Sequence, residues 1–225
     1  EYHRLYTESY RLRKEAAERL HADRMAFIRS HRQSPLALYV ANEMISKSFS
    51  VPATDLEEIL ARNCRISDTA RAARFCRQAE QACYFCKDIH YPDVPLHTPT
   101  FDTTLLSAHI RPGHVTLIDC WASWCGPCRA AIPKVKALYD KYGRDRFDVI
   151  SISLDSKKED WQKALEEEKM PWPQFIAGNR GYKQLTSRYN ISSIPNLILI
   201  DGKGQVVCNT FSPEEIRIEL EQILR

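Results

Sequence analysis

Residues 115–128 read Val115-Thr116-Leu117-Ile118-Asp119-Cys120-Trp121-Ala122-Ser123-Trp124-Cys125-Gly126-Pro127-Cys128, and the fold turns on that stretch. A mostly apolar run of strand length leads into a Cys-x-x-Cys, and the residues that follow, Arg129 to Tyr142, read as a helix. A pair of cysteines leaving a buried strand at a helix N-terminus suits thiol–disulfide exchange. The first thiol sits where unsatisfied backbone N–H groups and the helix dipole favour negative charge, so its thiolate is stabilised. The second lies one helical turn inside, close enough to attack a mixed disulfide formed by the first. Cys125 is therefore the expected nucleophile and Cys128 the resolving thiol. A purely structural bridge is the competing reading, but so short a loop restricts the unfolded chain very little. Pro127 preorganises the first helical turn and removes an N–H donor that could otherwise favour the Cys125 thiolate.

Working outward, 225 residues give room for one large domain or two small ones. A net charge of +3 is too near neutral to imply nucleic acid or an anionic membrane as partner, and no run of 18 apolar residues occurs. Eight cysteines tilt the compartment toward an oxidising one. The chain begins at Glu1, which suggests processing or trimming.

The two halves follow different grammars. Residues 1–94 read as an all-helical domain. Leu5, Leu12, Ala16, Leu20, Phe27 and Ile28 fall at helical spacing, predicting one long amphipathic helix over 2–31. Pro35 starts a second helix with Ala37, Val40, Ala41, Met44 and Ile45 on its apolar face. Thr54 and Glu57 form a capping-box pattern for a third, and Ser67 or Asp68 caps a fourth running to about Cys86. Prolines 92, 95 and 99 read as a linker or extended lead-in. Residues 95–225 then alternate, with strands expected at 114–121, 147–154, 196–201 and 204–209 and helices at 126–142, 157–169, 180–189 and 213–224. The last two strands, joined by Asp201-Gly202-Lys203-Gly204, read as a hairpin.

Taken together, Leu117 to Arg129, Ser153-Leu154-Asp155, Tyr189-Asn190-Ile191-Ser192-Ser193-Ile194-Pro195 and Leu199-Ile200-Asp201-Gly202-Lys203-Gly204 resemble the thioredoxin fold. The likeness is to the branch of TlpA/ResA-type periplasmic oxidoreductases, with an extra helix and strand inserted over 157–177. The helical half resembles the N-terminal extension of some such proteins from gut anaerobes. The resemblance implies a central mixed sheet flanked by helices, behind an all-α N-terminal domain. It implies a reductant of protein disulfides, because Gly126-Pro127 goes with reducing members of the family.

Asp119 lies in an apolar strand six residues before Cys125, where a carboxylate is costly unless neutral or paired, so its pKa should rise. By resemblance it lies beneath the dithiol and takes the proton from Cys128 during resolution. Relatives often carry a glutamate three residues after the second cysteine; Ala131 stands there instead, which leaves the acid–base task to Asp119. Ile194-Pro195 resembles the cis-proline loop that faces the dithiol and pairs with an extended substrate. Trp124 is expected at the surface beside the thiol and Trp121 in the core, while Pro133 should kink the active-site helix. Trp124, Gly126, Pro127, Ile194 and Pro195 are thus the expected substrate contacts.

No metal or organic cofactor is expected beyond the redox-active Cys125–Cys128 pair. The implied partners are protein disulfide substrates and an upstream membrane thiol-relay donor. The implied location is the periplasm or cell envelope, any membrane attachment coming from a lipid anchor or signal segment outside these residues. Two other readings stay open: a non-catalytic thioredoxin-fold interaction module, and a disulfide isomerase with a partner-binding helical domain. A peroxidase would want a Pro-x-x-x-Thr-x-x-Cys loop, which the chain lacks.

Cys64, Cys76, Cys83 and Cys86 form a second group. Zinc is disfavoured, because one straight helix spreads Cys76 and Cys86 roughly 15 Å along its axis. A structural disulfide from Cys64 to the fourth helix, a Cys83–Cys86 bridge, buried thiols and a second redox relay all remain. Cys120 and Cys208 are expected core residues.

Overall fold

A computed structural model describes residues 1–31, 34–45, 51–63, 75–79, 88–143, 146–189 and 191–225. The chain divides into two compact units, Glu1–Ile89 and His90–Arg225.

The described elements of the first unit are helical: α1 (Tyr2–Ser30), α2 (Pro35–Ile45), α3 (Ala53–Asn63) and α4 (residues 75–79). Its core joins Met25 and Ile28 of α1 to Ala41, Met44 and Ile45 of α2, Val51, Leu56 and Ile59 around α3, and Phe75 and Ala79. The expected apolar face of α1 is only partly used. Leu5, Leu12 and Leu20 are 57%, 52% and 50% exposed, and burial begins at Met25. The reason is length: 29 residues make a rod of about 43 Å, whereas the 11 residues of α2 or α3 span only about 16 Å. The capping-box expectation also fails. The N–H groups of Asp55 and Leu56 donate to Pro52 O, at 3.1 Å each, so the third helix starts earlier and Thr54 lies within its first turn. Cys64, Ser67, Asp68, Cys83 and Cys86 lie outside the described residues. Cys76 is disulfide-bonded.

The second unit carries a seven-stranded sheet in the order β2-β1-β5-β4-β3-β6-β7. The strands are β1 (Pro95–His97), β2 (Thr103–Leu105), β3 (Val115–Trp121), β4 (Phe147–Ser153), β5 (Gln174–Ile176), β6 (Asn196–Ile200) and β7 (Val206–Thr210). Between them run α5 (Gly126–Tyr142), α6 (Lys158–Glu168), α7 (Gly178–Arg188) and finally α8 (Pro213–Ile223). β3, β4 and β5 are parallel, while β6, β7, β1 and β2 pair antiparallel, giving a mixed sheet. β3 is buried at all seven positions, as a central strand covered on both faces must be. Val115, Leu117, Asp119 and Trp121 share one face by the two-residue period. On that face Val135 and Leu138 of α5 and Ile216 and Leu220 of α8 pack with Val115 and Leu117. Cys128 and Ile132 of α5 and Trp161 and Ala164 of α6 pack with Trp121. α5 runs unbroken through Pro133.

Prolines 92, 95 and 99 do not mark a loose linker. Pro95 opens β1, a first-strand position where a missing N–H costs nothing. The expected division at 94/95 falls five residues inside the second unit, because residues 90–94 are stitched to it. His90 bridges Gln205, the Tyr91 N–H donates to Gly204 O at 2.9 Å, and the Tyr189 hydroxyl donates to Pro92 O. The Asp93 carboxylate accepts from Ser107 N and Ser107 Oγ, at 3.0 and 2.7 Å.

Candidate active site

Ala122 to Cys125 form a tight turn between β3 and α5, closed by the Cys125 N–H donating to Ala122 O at 3.0 Å. Cys125 is the N-cap of α5, and its Sγ accepts the Cys128 N–H at 3.2 Å. That is one of the orphan donors of a helix start aimed at the sulfur, the arrangement that stabilises a thiolate there. Cys125 and Cys128 form a disulfide, with Cα atoms 5.2 Å apart. Gly126 and Pro127 fill the first two helical positions, where the absent proline N–H is no loss. A Cβ added at Gly126 would meet no atom of the described residues within 4 Å, so the chain leaves open space beside this first helical position.

Both cysteines are enclosed: Cys125 is 5% and Cys128 2% exposed. They pack in one apolar cluster with Trp121, Ala122, Ile132, Trp161, Ala164 and Ile176, against which Phe101 and Ile194 also rest. Trp124 stands out at 70% exposure, and Trp121 is fully buried. The Ile194–Pro195 peptide is cis. It leads into Asn196, the first residue of β6, which pairs with Cys120 of β3.

Asp119 is buried on the β3 face that α5 covers. Burial raises its pKa to about 6, against the lowering effect of a hydrogen bond from Ser151. Ser151 Oγ donates to Asp119 Oδ2 at 2.9 Å, and Trp172 Nε1 donates to Ser151 Oγ at 2.8 Å. Ser151 stands directly across from Asp119 in the parallel β3–β4 register. Cys120, next along the strand, is buried, and burial followed by the Asp119 charge pushes its thiol far up. Cys120 and Cys208 are both buried thiols.

Several residues around the dithiol carry no role in the sequence reading. Ser151 and Trp172 tune Asp119. Asp155, nearly buried, accepts three hydrogen bonds: from Ser123 N at 2.9 Å, Ser123 Oγ at 2.7 Å and Ser153 Oγ at 2.6 Å. The available signal is Ser151-Ile152-Ser153-Leu154-Asp155, where small hydroxyls alternate with apolar residues in a buried strand. Arg129, just past Cys128, pairs with Glu168 at 2.6 Å and Glu167 at 2.7 Å on α6. With the arginine side chain 37% exposed, this clasp is worth at most ~1 kcal/mol, whereas each buried charge-assisted bond to Asp155 contributes about 1.5–3 kcal/mol.

Residues 113–206 match the family model described as Thioredoxin-like. The thiol-disulfide oxidoreductase ResA of Geobacillus kaustophilus is 26% identical over 133 residues, covering 56% of this chain and 75% of the relative. A solved thiol:disulfide interchange protein DsbE from Chlorobium tepidum, putative by its description, is 32% identical with a TM-score of 0.51, spanning 62% of this chain and 96% of that one. The solution structure of a thiol:disulfide interchange protein from Bacteroides sp. shares the fold with a TM-score of 0.57 at 24% identity, over 63% of this chain and 93% of that one.

Proposed function

The chain belongs to the thioredoxin-like family, as a thiol–disulfide oxidoreductase of the ResA and TlpA type, and from that premise we propose that it reduces protein disulfides through Cys125 and Cys128. The observation that carries the reading is the Cys128 N–H pointed at Cys125 Sγ at 3.2 Å, with a buried carboxylate on the strand face beneath the same helix. In the reduced protein, the Cys125 thiolate attacks one sulfur of a substrate disulfide. A mixed disulfide forms and the substrate's other sulfur leaves as a thiolate. Cys128 then gives its proton to Asp119 and attacks Cys125 Sγ, releasing the second substrate thiolate and closing the Cys125–Cys128 bond. Two electrons pass to the substrate, and a donor dithiol must restore them. Asp119, with a pKa near 6, is mostly ionised at neutral pH and able to accept that proton.

The reaction needs no metal or organic cofactor, the dithiol being the redox group. Cis-Pro195, Ile194, Gly126, Pro127 and exposed Trp124 form the substrate-facing surface. An extracytoplasmic site of action in the periplasm or cell envelope fits this chemistry, with a membrane thiol-relay protein as donor. No described helix is long and apolar enough to cross a membrane.

Insulin reduction with a dithiol donor tests the proposal. The wild type should reduce insulin, Cys125→Ser should be inert, and Cys128→Ser should trap substrates on Cys125. Insulin reduction that survives Cys125→Ser would move the chemistry elsewhere.

A further inference from the structure

We propose that Asp155 is a positioning residue of the dithiol, holding the Ser123–Cys125 turn in place and keeping the couple reducing through its charge. The inference rests on the oxidoreductase reading and deepens it. Ser123 and Trp124 are the corner residues of the turn that delivers Cys125 to the helix start, since the turn closes from Cys125 N to Ala122 O. Both hydrogen-bonding groups of Ser123 are given to one carboxylate, the N–H to Asp155 Oδ2 and the hydroxyl to Oδ1. That carboxylate is fixed in turn. Ser153 Oγ donates to it at 2.6 Å and accepts the Asp155 N–H at 2.9 Å. Ser153 is itself anchored: it ends β4, and its carbonyl accepts the Ala177 N–H at 2.9 Å. The Leu154 N–H donates to Trp121 O at 2.8 Å, tying the same loop to the end of β3. The nucleophile's turn is therefore clamped to the neighbouring strand end by a buried acid that the thiol exchange does not consume.

The clamp has an electrostatic consequence. The carboxylate is held on the Ser123 N–H and hydroxyl, two residues before Cys125 in the same tight turn. A carboxylate bound to that turn opposes the Cys125 thiolate and has no comparable effect on the uncharged disulfide. It disfavours the reduced form and so makes the couple a stronger reductant.

The test is the equilibrium in which the oxidised protein and two glutathione thiols give the reduced protein and one glutathione disulfide. It is read by alkylation and mass for the full chain and its variants. Asp155→Asn keeps the size and one acceptor but removes the charge. It should move this constant toward the reduced protein by about tenfold, equal to ~30 mV for a two-electron couple. Ser123→Ala keeps the charge and loses one bond of the clamp. It should leave the constant within about twofold while slowing mixed-disulfide formation several-fold, with a melting temperature lowered by only a few degrees. A constant unmoved by Asp155→Asn would overturn the electrostatic role. If that variant does not fold, Ser123→Ala decides alone, and an attack rate equal to wild type would overturn the clamp. The glutathione equilibrium reports on the Cys125–Cys128 couple whether or not insulin is reduced. Failure of this proposal and failure of the proposed function are thus separate results.

Discussion

Asp119 is the residue where burial and chemistry pull against each other. Its pKa, raised to about 6 by burial, lies well above the ~3.9 of a solvated aspartate. Folding therefore favours the neutral acid. That contribution to stability is complete below the unfolded pKa near 4 and is lost as pH rises through about 6, a swing of ~3 kcal/mol. Asp119→Asn should consequently be more stable than wild type at pH 7.5, with a gain that shrinks toward pH 4, measurable by denaturant titration at the two values. Its turnover should fall in the same pH 7.5 buffer, with mixed disulfide accumulating in a stopped assay, because Cys128 has lost its base. The defect should narrow as pH approaches the ordinary thiol pKa of ~8.5. Wild-type turnover between pH 6 and 8 would make Asp119 purely structural. The burial of Asp119 and its raised pKa were legible in the sequence, since an aspartate in Leu117-Ile118-Asp119-Cys120 has no cheap solvated alternative. Its tuning was not, because Ser151 and Trp172 reach Asp119 only through the β3–β4 register and the fold of the 170–173 segment.

Among the elements, β3, β4 and α5 match their sequence patterns because each carries a clear signal: mostly apolar, β-branched runs of strand length for the strands, and Cys128, Ile132, Val135 and Leu138 at helical spacing for α5. β1 and β2, three residues each, are too short for a period to show, and the prolines around them read as punctuation. α1 shows the opposite failure. Its pattern is helical throughout, but period alone cannot say how much of a helix finds something to pack on. Removing residues 1–20 should therefore change the melting temperature of the helical unit little, because Leu5, Leu12 and Leu20 are half exposed or more. A large loss by differential scanning calorimetry would mean that these residues are covered in solution.

For the whole molecule, the decisive boundary is at Ile89/His90. A chain beginning at His90 should fold and reduce insulin with a rate close to the full protein. One beginning at Pro95 loses residues 90–94 and with them six hydrogen bonds, to Gly204, Tyr189, Arg188, Leu106 and twice to Ser107. At about 1 kcal/mol each it should be several kcal/mol less stable, which urea titration would show. Equal stability would mean that the strap is ornamental. Proline content could not reveal that 90–94 is fastened to Gly204 and Ser107, more than a hundred and about fourteen residues downstream. The apolar cluster around the dithiol has one more consequence, an optical one. All four tryptophans of the chain lie between residues 121 and 172, two of them, Trp121 and Trp161, share that cluster with Cys125 and Cys128, and Trp124 adjoins the pair. A disulfide is an efficient quencher of excited indole at contact range. The molecule should therefore fluoresce weakly when oxidised and more strongly when reduced, which would let its turnover be followed in a fluorimeter with no dye attached; equal emission in the two states would mean that neither indole is close enough to be quenched.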